Sequence, residues 1–145
     1  HLLHVSEAGI AALARAGTVA VLLPGTAFVL DEPYPPARKL IEAGVPVALG
    51  TDFNPGSCPL ASLPWAMSLA VLKLKMTPEE VLTAATLNAA AALGLAGELG
   101  TLEPGKRADL VVWYAQSFRE IPYWMGQNLV WAVIKNGRPV FSARG

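Results

Sequence analysis

An acid stands where an apolar run gives out: residues 47–52 read VALGTD and the chain continues FNPGSC, so Asp52 ends a strand-like stretch and opens a polar loop. A carboxylate in that place is either a cap of the following turn or a reagent presented at a rim. The residues themselves leave both roles open. Asn54, Gly56 and Ser57 are turn formers by type, and they also gather an amide, a glycine N–H and a hydroxyl beside the acid. Cys58, the single cysteine, has no basic neighbour in sequence to activate it as a nucleophile and reads as a small buried residue. His4 lies close to a helix cap and reads as a surface or packing histidine.

The elements that must carry these residues follow from periodicity. HVSEAGIAALARAG sets Ile10, Leu13 and Ala14 at helical spacing, with Ser6 as N-cap and Gly17 as stop. Val19 to Leu23 is a continuous apolar run ended by Pro24 and Gly25, the pattern of a strand buried on both faces. PPARKLIEAG predicts a helix with Pro36 near its first turn and Gly44 beyond its end. VPVALGTD is a second buried strand, and Ser62 to Lys75 a second, longer helix. Strand, helix, strand, helix with short connections is the rhythm of parallel β/α units.

Further on, Thr77, Pro78 and Glu80 form a capping box that opens a helical stretch running into NAAAALGL, either a close-packed helix pair or one element kinked near Asn88. The character then changes. A turn at Glu103-Pro104-Gly105 leads into a strand from Ala108 to Trp113, and Asn136-Gly137 between apolar runs predicts a β-hairpin. Tyr123, Trp124 and Trp131 are expected to pack this β-rich tail against the β/α body.

Composition excludes several classes. Charged residues are 15% of the 145, against roughly 25% in ordinary soluble domains, while apolar residues reach 53%. That is little polar surface to cover a small sphere, and with His1 in place of a Met the chain reads as a piece of something larger. The net charge is zero and no basic block occurs, so the electrostatic footprint of a nucleic-acid binder is missing. The apolar runs are far shorter than the roughly 20 residues that cross a bilayer. A lone cysteine rules out an internal disulfide and fits a reducing, cytoplasmic setting.

Taken in order, TDFNPGS, TPEE, NAAAALGL, LGTLEPGKRADLVVW and KNGRPVF resemble the C-terminal part of an amidohydrolase-superfamily hydrolase, over essentially the whole chain. The resemblance implies a fold class of α/β type: the last units of a (β/α)₈ TIM-like barrel over residues 1–100, then strands of a small composite β-sandwich over residues 101–145. Active sites of such barrels lie at the C-terminal ends of the strands. By the resemblance Asp52 is the last barrel strand's aspartate, a metal ligand that also relays a proton of the metal-activated water. His1 is a histidine facing the substrate carbonyl, where an imidazole N–H steadies developing charge. Asn54, Gly56 and Ser57 hold the carboxylate-bearing end of a small-molecule substrate.

The reaction so implied is metal-assisted hydrolysis of a cyclic amide, with zinc or iron in the full-length enzyme. The superfamily's His-x-His pair and its middle-strand histidine are not among these residues. A hydrolytic zinc site takes three protein ligands, so this chain by itself is expected to bind no metal and to be inactive. Its implied partners are the remainder of the same polypeptide and, for the whole enzyme, a second copy in a homodimer. Two other readings stand beside this one: a related amidohydrolase or aminohydrolase acting on another heterocycle, and a non-catalytic scaffold fragment.

Overall fold

The two apolar runs pair with each other. In the computed structural model, which describes residues 1–143, β1 (Ala20–Leu22) and β2 (Val47–Leu49) are parallel, with Ala20 beside Val47 and Leu22 beside Leu49. Both strands therefore deliver the chain to the same rim. Each is followed by a loop or helix that starts there: α2 (Pro24–Val29) directly after β1, and the loop 51–58 after β2.

Helices pack round this pair. α1 (Glu7–Ala16) begins where the Ser6 hydroxyl accepts the Gly9 N–H at 3.1 Å, and it ends at Gly17, whose φ of 63° suits a residue without Cβ. α3 (Ala37–Glu42) starts after Pro36 and returns the chain to β2. α4 is shorter than its pattern suggested, Leu63–Leu72 behind the N-cap Ser62. Thr77 and Glu80 form the expected reciprocal cap of α5 (Pro78–Ala85). The alanine-rich stretch is a helix pair: Thr86, at φ −124° and ψ −88°, breaks α5 from α6 (Leu87–Ala92). Asn88 lies just past this break and donates its amide to the Val47 carbonyl at 2.8 Å, tying α6 to β2.

A second sheet follows. β3 (Leu110–Trp113), β4 (Val130–Lys135) and β5 (Arg138–Ser142) are antiparallel in that order, with the short α7 (Glu120–Tyr123) between β3 and β4. The β4–β5 turn is Asn136-Gly137, at φ 50° and 74°, the left-handed pair that a two-residue hairpin of matching twist requires. The two parts share a core. Leu22, Leu40, Leu49, Met67 and Val81 cluster with Ile121 of α7, and Trp113 packs against them.

Two expectations need correction. β1 is not buried on both faces: Ala20 and Leu22 are buried, whereas Val21 is 39% exposed beside Gly50, which has no side chain to cover it. Tyr123, Trp124 and Trp131 do not seal the tail to the body, being 73%, 42% and 42% exposed. Smaller residues do that work, because α7 turns Ile121 and Pro122 inward and its aromatic end outward.

Candidate functional site

Asp52 stands three residues past the end of β2, at the rim shared with β1. Its φ is 54°, a left-handed conformation that Asp tolerates better than most residues. Oδ2 accepts the Thr26 hydroxyl at 2.6 Å and lies 3.8 Å from Nε2 of His1. Oδ1 accepts no hydrogen bond from the described residues and is not buried. One carboxylate oxygen is thus held by the protein and the other is open. The side chain is 29% exposed, the His1 imidazole 50%.

His1 comes to the site along the free edge of β1, its main-chain nitrogen donating to the Val21 carbonyl at 3.5 Å. The structure thus brings together His1 and Asp52, which are far apart in sequence. His4 stays outside and is exposed.

Asn54, Gly56 and Ser57 also lie at this rim, but their donors turn inward. The Asn54 carboxamide oxygen accepts the N–H groups of Gly56 and Ser57 at 2.9 and 2.8 Å, and its Nδ2 reaches the Asp52 carbonyl at 2.7 Å and the Ser57 hydroxyl at 3.1 Å. An Asx-type turn of this kind satisfies the loop from within. The simple image of three free donors aimed at an anion therefore does not describe the loop. What the residues build is a braced turn that fixes the backbone on either side of Phe53, itself 62% exposed.

Cys58 is a structural residue, as its sequence context suggests. It is fully buried, its thiol donates to the Thr51 carbonyl at 3.2 Å, and its carbonyl accepts the Asn54 N–H at 2.9 Å. Gly25 rests on it so closely that a Cβ there would meet the sulfur at 3.0 Å. That contact latches the start of α2 to the loop after β2.

Thr26 is the contact that reading the sequence missed. It is 26 residues from Asp52 and carries no motif. A signal did exist: once β1 and β2 are parallel, residues a few positions beyond each strand's end share one rim, and Thr26 is the polar side chain nearest the end of β1.

The donor set can be tested against a metal. A hydrolytic zinc site takes three protein ligands, and among the described residues no group of three His, Cys, Asp or Glu side chains converges. Asp52 offers one hard-oxygen donor, Oδ1, and the described residues by themselves do not complete such a site.

Comparison with known proteins narrows the reading. The chain is 57% identical over 137 residues to imidazolonepropionase of Parabacteroides distasonis, a match covering 94% of this chain and 33% of that one. It is 54% identical over 142 residues to imidazolonepropionase of Porphyromonas gingivalis, covering 98% and 34%. The chain thus spans about a third of the length of the curated relatives it matches. Among solved structures, an adenosine deaminase from Xanthomonas campestris with bound zinc superposes with a TM-score of 0.90 at 28% identity, covering 99% of this chain and 36% of that one. Its fold is the mixed α/β, TIM-barrel type of the amidohydrolases. The model of the amidohydrolase family matches residues 1–140, and the chain belongs to that family.

Proposed function

We propose that the chain is the C-terminal portion of an imidazolonepropionase, hydrolysing 4-imidazolone-5-propanoate to N-formimidoyl-L-glutamate in histidine degradation. The observation that carries this reading is identity above one half to imidazolonepropionases over nearly the whole chain, with an open carboxylate oxygen at the rim where two parallel strands end. In this reading residues 1–100 are the last β/α units of the barrel, and residues 101–145 contribute strands to a small composite β-sandwich. The parallel pair and the separate antiparallel sheet support that division. The enzyme acts in the cytoplasm as a homodimer.

Zinc or iron, when bound, supplies a Lewis acid that makes water reactive near neutral pH. This chain contributes Asp52, whose Oδ1 would ligate the metal and whose carboxylate would take a proton as water adds to the ring carbonyl and return it to the ring nitrogen as the C–N bond breaks, leaving the carboxylic acid of the opened product. His1 presents an imidazole on the same side, and its N–H donates to the carbonyl oxygen as charge grows there. The braced turn of Asn54, Gly56 and Ser57 shapes the wall that receives the propanoate carboxylate. Substrate entry would exchange some of its internal hydrogen bonds for bonds to the anion, which offers a stronger acceptor.

The test is turnover by the complete protein. Loss of the imidazolone chromophore with appearance of N-formimidoyl-L-glutamate is expected. Ammonia release from an aminoheterocycle, with the imidazolone left intact, would move the assignment to an aminohydrolase. Absence of both activities in a metal-replete protein would favour a scaffold role.

A further inference from the structure

We propose that Thr26 is a positioning residue for the reaction: its hydroxyl pins one oxygen of Asp52 so that the other faces the reacting centre. The proposal rests on the reading of Asp52 as ligand and proton acceptor, and it adds a residue that the loop motif does not contain.

The geometry gives Asp52 two unlike oxygens. Oδ2 takes the Thr26 hydroxyl at 2.6 Å, and Oδ1 has no partner among the described residues. A carboxylate with neither oxygen held rotates about its last torsion with little preference, because sp³–sp² torsions are broad. Here one short hydrogen bond from a hydroxyl to a charged acceptor, of the stronger class, decides which oxygen is presented. The His1 imidazole is the competing donor, 3.8 Å from the same Oδ2. With Thr26 occupying that oxygen, the imidazole remains beyond hydrogen-bond distance and is left for substrate.

Thr26 is itself held. It is only 6% exposed, and the residue before it, Gly25, lies against the Cys58 sulfur and 3.5 Å, by its Cβ position, from the Thr51 carbonyl. A helical threonine often spends its hydroxyl on the carbonyl four residues back. For Thr26 that carbonyl belongs to Leu22 and already accepts the Gly50 N–H at 3.2 Å. The hydroxyl is directed instead across the rim, from one strand's loop to the other's.

Groups that orient a metal ligand commonly cost about 10–100-fold in activity or metal affinity when removed. In the complete enzyme Thr26→Val, which keeps the shape and removes the hydroxyl, should lower kcat by about 10–100-fold with KM changed less than about threefold. Thr26→Ser should stay within a few fold of the parent. A second readout is independent of turnover: in crystals of the metal-free T26V protein, the Asp52 carboxylate should rotate and Oδ2 should close on His1. Asp52→Asn serves as the control. If D52N is inactive while T26V keeps parental kcat and an unmoved carboxylate, the positioning role is overturned and the function stands. If D52N is active, the functional reading itself has failed. Should valine not be tolerated in this buried place, Thr26→Ala read against Thr26→Ser carries the same comparison, and equal loss in both would overturn the proposal.

Discussion

Asp52 and Asn54 share a loop but divide its work, and the division is electrostatic. Asp52 exposes one oxygen and holds the other; Asn54 turns every polar atom of its side chain back onto the loop. Removing the carboxamide would free the N–H groups of Gly56 and Ser57 and release the Asp52 carbonyl, loosening the wall without touching the carboxylate. For Asn54→Ala in the complete enzyme we expect KM for imidazolonepropionate to rise about tenfold, the scale of one or two lost hydrogen bonds, with metal content kept. Parental KM in that variant would reduce Asn54 to turn chemistry with no bearing on substrate. The sequence showed the residue types here but not their orientation: an Asn-Pro-Gly-Ser loop reads equally well as donors facing out or as a turn facing in.

Helix caps were the most legible elements, because a cap is a contact between residues three apart and needs no tertiary knowledge. Ser6 and Thr77 each do what their spacing predicts. α2 and α7 were not foreseen, since each is held by packing across the fold: α2 by Gly25 on Cys58, α7 by Ile121 in the core. Glu80 belongs to both kinds. It accepts the Thr77 N–H at 2.8 Å within the cap, and both its oxygens take the Arg38 guanidinium of α3, at 2.9 and 2.8 Å. The Arg38 hydrogen bonds hold the Glu80 carboxyl below the usual carboxylate range, against a smaller opposing effect of burial. A lowered folded-state pKa stabilises above the unfolded value, about 4.3 for Glu, and that stability is lost as pH falls through the folded value. Glu80→Gln should therefore cost about 1 kcal/mol near neutrality, a modest figure because solvent screens a partly exposed pair. The gap from the parent should narrow as the pH is lowered toward about 3, through the carboxylate range. Denaturant melts at the two pH values check this, and an unchanged gap would mean that the ion pair contributes nothing.

At the scale of the whole molecule, each strand of the parallel pair meets another group along its outer edge. The side of β1 away from β2 takes a main-chain hydrogen bond from His1, and the far side of β2 is partly capped at Val47 by Asn88. β/α rhythm and rim were legible from apolar runs and glycines, because β2 is buried throughout and β1 is apolar along its length even where Val21 is exposed. The partnership of Thr26 with Asp52 was not, because it depends on the register of two strands. By the proposed function the acid at the end of β2 does chemistry and is more than an anchor for the Thr26 hydroxyl. Asp52→Asn in the complete protein retains an oxygen able to accept the Thr26 hydroxyl but loses the charge and the basic site. The direct measurement is turnover of that variant together with its thermal midpoint. A fall in kcat of about 10² to 10⁴, the usual share of a proton-transfer group, is expected at an almost unchanged midpoint; near-parental turnover would contradict a chemical role for Asp52.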